Sequence, residues 1–79
     1  MKVSVIGTGY VGLVTGATLA DLGNEVVCLD ILEEKINMLN SGKSPIYEPG
    51  LDELLKNGLK SKRLIGSTEI EQNVRNSDI

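Results

Sequence analysis

The chain has 79 residues, an apolar fraction of 41% and a formal net charge of −3. That apolar content is typical of a globular protein rather than a disordered one, and the interspersed charges exclude the basic stripe of a nucleic-acid-binding surface. The densest basic stretch, Lys56 to Arg63, is interpreted as a solvated helix end and loop. We therefore expect no nucleic-acid partner.

Cysteine and histidine usage limits the chemistry further. Cys28 is the only cysteine and there is no histidine, which excludes an intrachain disulfide and a Cys/His zinc site. Cys28 lies in an apolar run and is predicted to be a buried packing thiol. The opening apolar run is too short for a signal peptide or a membrane span. We expect a cytoplasmic protein with no metal and no membrane partner.

The first half of the chain has the pattern of a strand, a helix and a second strand. Lys2–Ile6 is a short, β-branched run typical of a strand buried on both faces, and a turn at Gly7-Thr8-Gly9 follows. A helix is predicted from Tyr10 to Leu22, with Gly23 as its C-terminal cap, and then a second strand over Glu25–Leu29. The stripe predicted to be buried on this helix comprises Val11, Val14, Thr15, Thr18, Leu19 and Leu22. Parallel strands joined by a right-handed crossover are expected.

A second helix is predicted over Leu32–Asn40, with Leu32, Ile36 and Leu39 on one face. Ser41-Gly42 ends it. The segment from Lys43 to Pro49 is predicted to be a loop because its two prolines resist helix and central strand.

Shorter elements are expected after the loop. A helix over Leu51–Lys56 is predicted to stop at Asn57-Gly58, and Leu64-Ile65 is predicted to be the centre of a third strand. Thr68 and Glu71 have the spacing of a capping box, which predicts a last helix reaching about Asn76.

Asp78-Ile79 resembles the first step into a fourth strand. The predicted fold class is therefore α/β, a Rossmann-type doubly wound parallel sheet that is incomplete here and carries extra helices. We expect residues 1–79 to be the N-terminal part of such a domain.

The motif that carries chemistry is G-x-G-x-x-G, formed by Gly7, Gly9 and Gly12 between a buried strand and an amphipathic helix. In this fingerprint the first glycine allows the sharp turn, the second allows close approach of a pyrophosphate, and the third allows the helix to pack on the sheet. Gly16 is expected to extend that packing. Free amides around Gly9 to Val11 and the helix dipole favour a dinucleotide's negative charge. A purely structural turn is the alternative.

Asp30 stands at the end of the second strand, 18 residues after Gly12. A carboxylate there accepts hydrogen bonds from the adenosine ribose hydroxyls and repels a 2′-phosphate, which predicts NAD rather than NADP. The alternative is that Asp30 is the N-cap of the next helix, a role compatible with the first. The glycines alone leave FAD open.

Several motifs together resemble the UDP-glucose/GDP-mannose dehydrogenase family. They are the run from Gly7 to Gly16, Asp30 followed by Lys35-Ile36, Leu39-Asn40, and the unusual run Pro45-Ile46-Tyr47-Glu48-Pro49-Gly50-Leu51. The last of these is not needed by a generic Rossmann domain. The resemblance covers the whole chain, though only the first part of a family member.

The resemblance implies specific contacts with NAD. It places Val11, Asp30 and Lys35 at NAD-contacting positions and Tyr10 beside the pyrophosphate turn. Lys35 is alternatively a solvated helix lysine. Glu48 either lies on the cofactor side of the cleft or caps the next helix.

The resemblance also implies an activity for the full-length protein, which is two successive NAD-dependent oxidations at C6 of a nucleotide sugar. UDP-glucose is the expected substrate, with GDP-mannose as the alternative, and a homo-oligomer is the expected assembly. The family's catalytic cysteine is expected outside this chain, so these 79 residues should be inactive alone. The residues also leave open a stand-alone dinucleotide-binding module or the first unit of a flavoprotein.

Overall fold

A computed structural model describes residues 1–43 and 50–79 of the chain. Its elements, in chain order, are β1 Lys2–Ile6, α1 Tyr10–Asp21, β2 Glu25–Leu29, α2 Glu33–Asn40, α3 Leu51–Lys60, β3 Leu64–Ser67 and α4 Ile70–Arg75. The predicted loop from Lys43 to Pro49 falls almost wholly outside the described residues.

The described strands form a three-stranded parallel sheet in the order β1-β2-β3. Val3 is the register partner of Val26, and Val26 is the partner of Leu64. The two predicted strands of the first βαβ unit are confirmed residue for residue, and β3 runs two residues beyond the predicted Leu64-Ile65. The α/β Rossmann-type fold class is confirmed.

Helices cover the two faces of the sheet unequally. The face of Val3, Val26 and Leu64 packs against α1 and α3, and α2 packs on β3. Successive strand residues point to opposite faces, so Ser4 lies on the other side, where its hydroxyl donates to the Asn73 carbonyl of α4. The buried core of the described residues is aliphatic, with Cys28 as its one sulfur-bearing member.

The stripe predicted for α1 is wrong for its exposed members and correct for Val14 and Leu19, which are half-buried and pack against the core. The buried residues of α1 are Leu13, Gly16, Ala17 and Ala20, whereas Val11 is 75% exposed and Leu22 is 73% exposed. Leu13 is a large, fully buried side chain, whereas Gly16 lies where the helix is too close to the strands for any side chain. A Cβ atom on Gly16 would lie only 2.7 Å from Cys28 Sγ. The small residues Gly16, Ala17 and Ala20 therefore belong to the buried face, which hydrophobicity alone did not predict.

Glycine ends two of the helices as predicted. Gly23 has φ +103° and donates to the Ala20 carbonyl, while Gly42 has φ +83° and donates to the Leu39 carbonyl. In each case the next amide bonds a carbonyl five residues back, which completes a Schellman motif.

The predicted stop of α3 at Asn57-Gly58 is wrong, since α3 continues to Lys60. Gly58 is buried inside the helix, where a Cβ atom would lie 2.8 Å from the Leu64 Cβ. This glycine therefore provides close helix–strand contact. The helix ends in a third Schellman motif, with Lys62 at φ 63° and the Arg63 amide bonded to the Gly58 carbonyl.

Two helix starts also differ from expectation. The capping box at Thr68 and Glu71 is wrong, because α4 begins at Ile70 with Glu69 as its N-cap and has no side-chain cap. The Ser67 hydroxyl instead accepts the Glu69 amide. Leu32 is the N-cap of α2 and is 51% exposed, so it does not join Ile36 and Leu39 in the core.

Asp78-Ile79, expected to start a fourth strand, is not one of the strands of the sheet, but its backbone forms hydrogen bonds with β1. The Ile79 amide donates to the Lys2 carbonyl at 3.3 Å, and the Ser4 amide donates to the Ile79 carbonyl at 2.9 Å. This is the pattern of a parallel pair between Ile79 and Val3. Ile79 therefore lies on the edge of β1 opposite β2, where a doubly wound sheet changes direction.

None of the helices within residues 1–43 and 50–79 is long and apolar enough to cross a membrane.

Candidate cofactor-binding site

The glycine turn joins β1 to α1 at the carboxyl edge of the sheet. Gly7 has φ +95°, a left-handed conformation that favours glycine, and its amide donates to the Leu29 carbonyl at 2.7 Å. Gly12 has no room for a side chain, because its Cβ atom would overlap the Gly7 carbonyl oxygen. Gly7 therefore shapes the turn, and Gly12 lets the helix fold back against it.

Gly9 differs from the other two glycines of the motif. It is the N-cap of α1, is exposed, and has no atom within 4 Å of where a Cβ would be. No side chain caps this helix and no acidic residue lies in its first turn. The amides of Tyr10, Val11 and Gly12 have no acceptor among the described residues. The space at Gly9 is open and bordered by hydrogen-bond donors, which suits an anionic group.

Asp30 follows β2 and faces the same turn. Its Oδ2 accepts the Thr8 hydroxyl at 2.8 Å and the Thr8 amide at 3.1 Å, and its Oδ1 accepts the Leu32 amide at 2.9 Å. The contact with Leu32, two residues on, makes Asp30 the first residue of an Asx turn. Asp30 is not the N-cap of α2, which is Leu32, so that alternative is wrong in its literal form.

These contacts favour the charged form of the carboxyl group. The Leu32 amide, the Thr8 hydroxyl and amide, and the positive charge of Lys35 lower the pKa of Asp30 from its ordinary value of 3.8, against a smaller opposing effect of desolvation. Asp30 is therefore an anion at neutral pH. A carboxylate in this state accepts hydroxyl hydrogen bonds and repels phosphate.

Thr8 is the site residue that sequence reasoning missed. It occupies a variable position of the glycine motif, yet it is 2% exposed and is the one buried polar residue of the described chain. Its partner Asp30 is 22 residues away in sequence. In the sequence, Thr8 is recognisable only as a hydroxyl side chain in a turn after a buried strand. That feature does not indicate which residue its hydroxyl would bind.

The remaining predicted site residues lie around the turn and Asp30. Tyr10 and Val11 begin α1 and are 49% and 75% exposed, so their side chains project into solvent beside the turn. Lys35 lies in the first turn of α2 and is close enough to influence Asp30 electrostatically. Glu48, with the rest of the run from Pro45 to Pro49, lies outside the described residues.

Cys28 lies in the middle of β2, fully buried, and desolvation raises the pKa of its thiol to about 11. A thiol in this environment is protonated at neutral pH. This agrees with its interpretation as a packing residue.

A parallel sheet with a glycine turn at a helix N-terminus, and an acidic residue at the end of the second strand, defines a dinucleotide-binding domain of the Rossmann class. Comparison with known proteins gives the family. The model of the UDP-glucose/GDP-mannose dehydrogenase family, NAD binding domain, matches residues 1–79. The chain belongs to this family, and its cofactor is NAD.

Individual relatives agree with this assignment. The chain is 51% identical over 78 residues, 99% of its length, to UDP-glucose 6-dehydrogenase TuaD of Bacillus subtilis, of which it covers 17%. It is also 51% identical over 74 residues, 94% of its length, to GDP-mannose 6-dehydrogenase of Azotobacter vinelandii, again covering 17%. A crystal structure of a ternary complex of GDP-mannose dehydrogenase from Pseudomonas aeruginosa superposes with a TM-score of 0.95 at 45% identity, covering 99% of this chain and 18% of that one. The chain thus spans less than a fifth of the proteins it matches.

Proposed function

We propose that the open turn at Gly9 and the carboxylate of Asp30 together hold the adenosine diphosphate half of NAD. The observation that carries this proposal is the combination of unpaired amides at the start of α1 and a charged acceptor beside the same turn. The pyrophosphate would accept from the amides of Tyr10 and Val11, where the helix dipole adds positive potential. Gly7 and Gly12 keep the backbone in the shape that leaves this space open.

Asp30 provides the preference for NAD over NADP. Its carboxylate accepts a ribose hydroxyl and repels a 2′-phosphate, and the residues that follow it, Ile31 and Leu32, supply no positive charge. The positive charge of Lys35 acts on Asp30 and helps to lower its pKa. We assign Lys35 to the ribose or phosphate side of the cofactor.

Residues 1–79 are proposed to be the N-terminal part of the NAD-binding Rossmann domain of a longer nucleotide-sugar 6-dehydrogenase. That enzyme would oxidise the C6 alcohol of UDP-glucose to the carboxylate of UDP-glucuronate and reduce two NAD per sugar. The likeness to a UDP-glucose 6-dehydrogenase at 51% identity supports this choice. An equal identity to a GDP-mannose 6-dehydrogenase makes GDP-mannose the second candidate substrate.

The test is the absorbance of NADH formed by the full-length protein with each nucleotide sugar. UDP-glucose should give about two NADH per sugar oxidised, and GDP-mannose should react at least about a hundredfold more slowly in kcat/KM, a difference of about 2.7 kcal/mol. Faster turnover of GDP-mannose would assign the protein to the second substrate. Binding of NAD by the full-length protein without oxidation of either sugar would contradict the enzymatic proposal and favour a binding module.

Residues 1–79 alone are expected to give no NADH. Hydride transfer requires the sugar carbon to be held against the nicotinamide, and in doubly wound sheets the nicotinamide lies across the switch point of the strand order. In this chain the switch point is the edge of β1 where Ile79 pairs with Val3. Measurable turnover by residues 1–79 alone would contradict the proposal that this part of the enzyme binds NAD without catalysing the oxidation.

A further inference from the structure

We infer that Thr8 is a positioning residue for cofactor recognition, which holds Oδ2 of Asp30 through its hydroxyl and leaves Oδ1 as the acceptor for the adenosine ribose. This inference rests on the proposed function of Asp30. It assigns a specific task to a residue that the glycine motif leaves variable.

The first support is the burial of Thr8. A hydroxyl that is removed from water must find a partner within the protein, or its burial costs stability. The Thr8 hydroxyl has that partner in Asp30 Oδ2 at 2.8 Å, and the amide of the same residue donates to the same oxygen at 3.1 Å. Two donors from one residue fix the position of that oxygen relative to the glycine turn.

The second support is a count of acceptor positions on the carboxylate. A carboxylate offers about four lone-pair positions, two on each oxygen. Thr8 uses both positions on Oδ2, and the Leu32 amide uses one on Oδ1. One position therefore remains, on Oδ1, and it belongs to a half-buried side chain that water and ligands can reach. The protein contacts specify which oxygen a ribose hydroxyl would meet.

The third support is the location of the contact. Thr8 lies between Gly7 and Gly9, so its hydrogen bonds tie the turn that receives the pyrophosphate to the residue that receives the ribose. The two parts of the nucleotide site are thereby held at a set separation before the cofactor arrives. Preorganisation of this kind reduces the cost of ordering on binding.

The principal variant is Thr8→Val in the full-length protein. Valine has nearly the same shape but places a methyl group against Oδ2, so the carboxylate loses a donor and its orientation. We expect the dissociation constant for NAD to rise about tenfold, the scale of one hydrogen bond to a charged group. The KM for NAD should rise more than kcat falls. Thr8→Ser, which keeps the hydroxyl, should restore the affinity to within about threefold of wild type.

The matched control is Ser4→Ala. Ser4 also has a half-buried hydroxyl with a long-range partner, the Asn73 carbonyl, but it lies on the opposite face of the sheet from the α1 contacts and away from the turn. Loss of its hydroxyl should lower the unfolding temperature without changing the NAD dissociation constant. If Thr8→Val has the same effect as Ser4→Ala, lower stability with unchanged affinity, Thr8 is only structural and the inference is overturned.

A double-mutant cycle with Asp30→Ala separates this inference from the proposed function. In the Asp30→Ala background Thr8→Val should change the NAD dissociation constant less than about twofold, because the group it positions is gone. Wild-type protein that does not bind NAD would overturn the proposed function as well. Wild-type binding that Asp30→Ala weakens and Thr8→Val does not would overturn only the role of Thr8.

The pH dependence of NAD affinity provides an independent readout. The Thr8 hydroxyl is among the groups that lower the pKa of Asp30, so its removal should raise that pKa towards 3.8. Affinity that depends on the carboxylate would then be lost at a higher pH on acidification in Thr8→Val than in wild type. If Thr8→Val does not fold, Thr8→Ala can replace it, because alanine leaves space next to Oδ2 rather than a methyl group. In either variant, NAD affinity should be lost at a higher pH than in wild type. If the variant and the wild type lose NAD affinity at the same pH on acidification, the inference is overturned.

Discussion

A Cβ atom added to Gly16 would lie 2.7 Å from the Sγ atom of Cys28, so α1 and β2 meet there with no room for one more carbon. The other neighbours of that position, side-chain methyl groups of Val26 and Val5, would be 3.5 and 3.8 Å away, which is ordinary contact. Of these neighbours, only the Cys28 sulfur is too close to accommodate a Cβ atom at position 16.

The effect of Gly16→Ala on the free energy of unfolding should change sign with the residue at position 28. In the wild-type background the new methyl group meets the sulfur, and overpacking of about 2 kcal/mol outweighs the gain of about 1 kcal/mol in helix propensity. In the Cys28→Ala background the sulfur is absent, and Gly16→Ala should be neutral or stabilising. Urea unfolding of the four proteins measures the coupling. Gly12→Ala is the control and should remain destabilising in both backgrounds, because its obstacle is the Gly7 carbonyl. Additive effects of Gly16→Ala and Cys28→Ala would contradict the packing argument.

Cys28 should be dispensable for catalysis in the full-length enzyme. With a pKa of about 11, roughly one thiol in ten thousand is ionised at pH 7, and the residue is fully buried. Cys28→Ala should cost about 1 kcal/mol of stability through lost packing and leave kcat within about twofold. Alkylation of the folded wild-type protein at Cys28 should be slow and should accelerate on unfolding. A hundredfold loss of turnover with the fold intact, about 2.7 kcal/mol, would show that Cys28 takes part in the chemistry.

Gly9→Ala and Gly12→Ala should separate cofactor contact from folding. Nothing lies within 4 Å of a Cβ at Gly9, and its φ of −74° suits any residue, so Gly9→Ala should fold normally. Its methyl group would occupy space assigned to the pyrophosphate, and the NAD dissociation constant should rise at least about tenfold. Gly12→Ala should instead destabilise the domain by about 2–3 kcal/mol. Calorimetric NAD titration and thermal unfolding distinguish the two, and normal NAD affinity in Gly9→Ala would argue against pyrophosphate binding at this turn.

Replacing Asp30 should narrow the preference for NAD over NADP. Asp30→Ser removes the charge that repels a 2′-phosphate and weakens the ribose contact, so NAD should bind about tenfold more weakly and the ratio of NADP to NAD affinity should rise. Asp30→Asn is a second charge-free variant, whose single side-chain oxygen can accept either the Thr8 donors or the Leu32 amide, so it keeps part of the turn contacts while losing the charge. An unchanged ratio in both variants would reduce Asp30 to a structural turn residue.

Lys62→Gly should stabilise the domain. Lys62 follows the C-cap of α3 and has φ 63°, a left-handed conformation that costs a residue with a Cβ about 1 kcal/mol relative to glycine. The gain in the free energy of unfolding should be about 0.5–1 kcal/mol. Lys60→Gly, at the last residue of the helix, is the matched control and should lower the free energy of unfolding. A loss of stability in Lys62→Gly would mean that the lysine side chain makes a contact worth more than the backbone strain.

The architecture of the first βαβ unit and the position of the nucleotide turn could be predicted from the sequence. β1 and β2 were predicted residue for residue, and the C-terminal ends of α1 and α2 to within one residue, because they depend on local properties. Short β-branched runs favour buried strands, and glycine provides the left-handed residue at Gly7, Gly23 and Gly42. The spacing from Gly12 to Asp30 likewise reflects the length of one helix and one strand.

Features that depend on distances between helices and strands could be recognised only in the folded structure. Gly16 lies on the buried face of α1 because the helix meets the sheet there without room for a Cβ, and Gly58 continues a helix because it faces Leu64. The pairing of Thr8 with Asp30 depends on two loops, 22 residues apart in sequence, meeting at one edge of the sheet. Periodicity and residue propensity describe one element at a time, so close packing and long-range hydrogen bonds appear only when the elements are assembled.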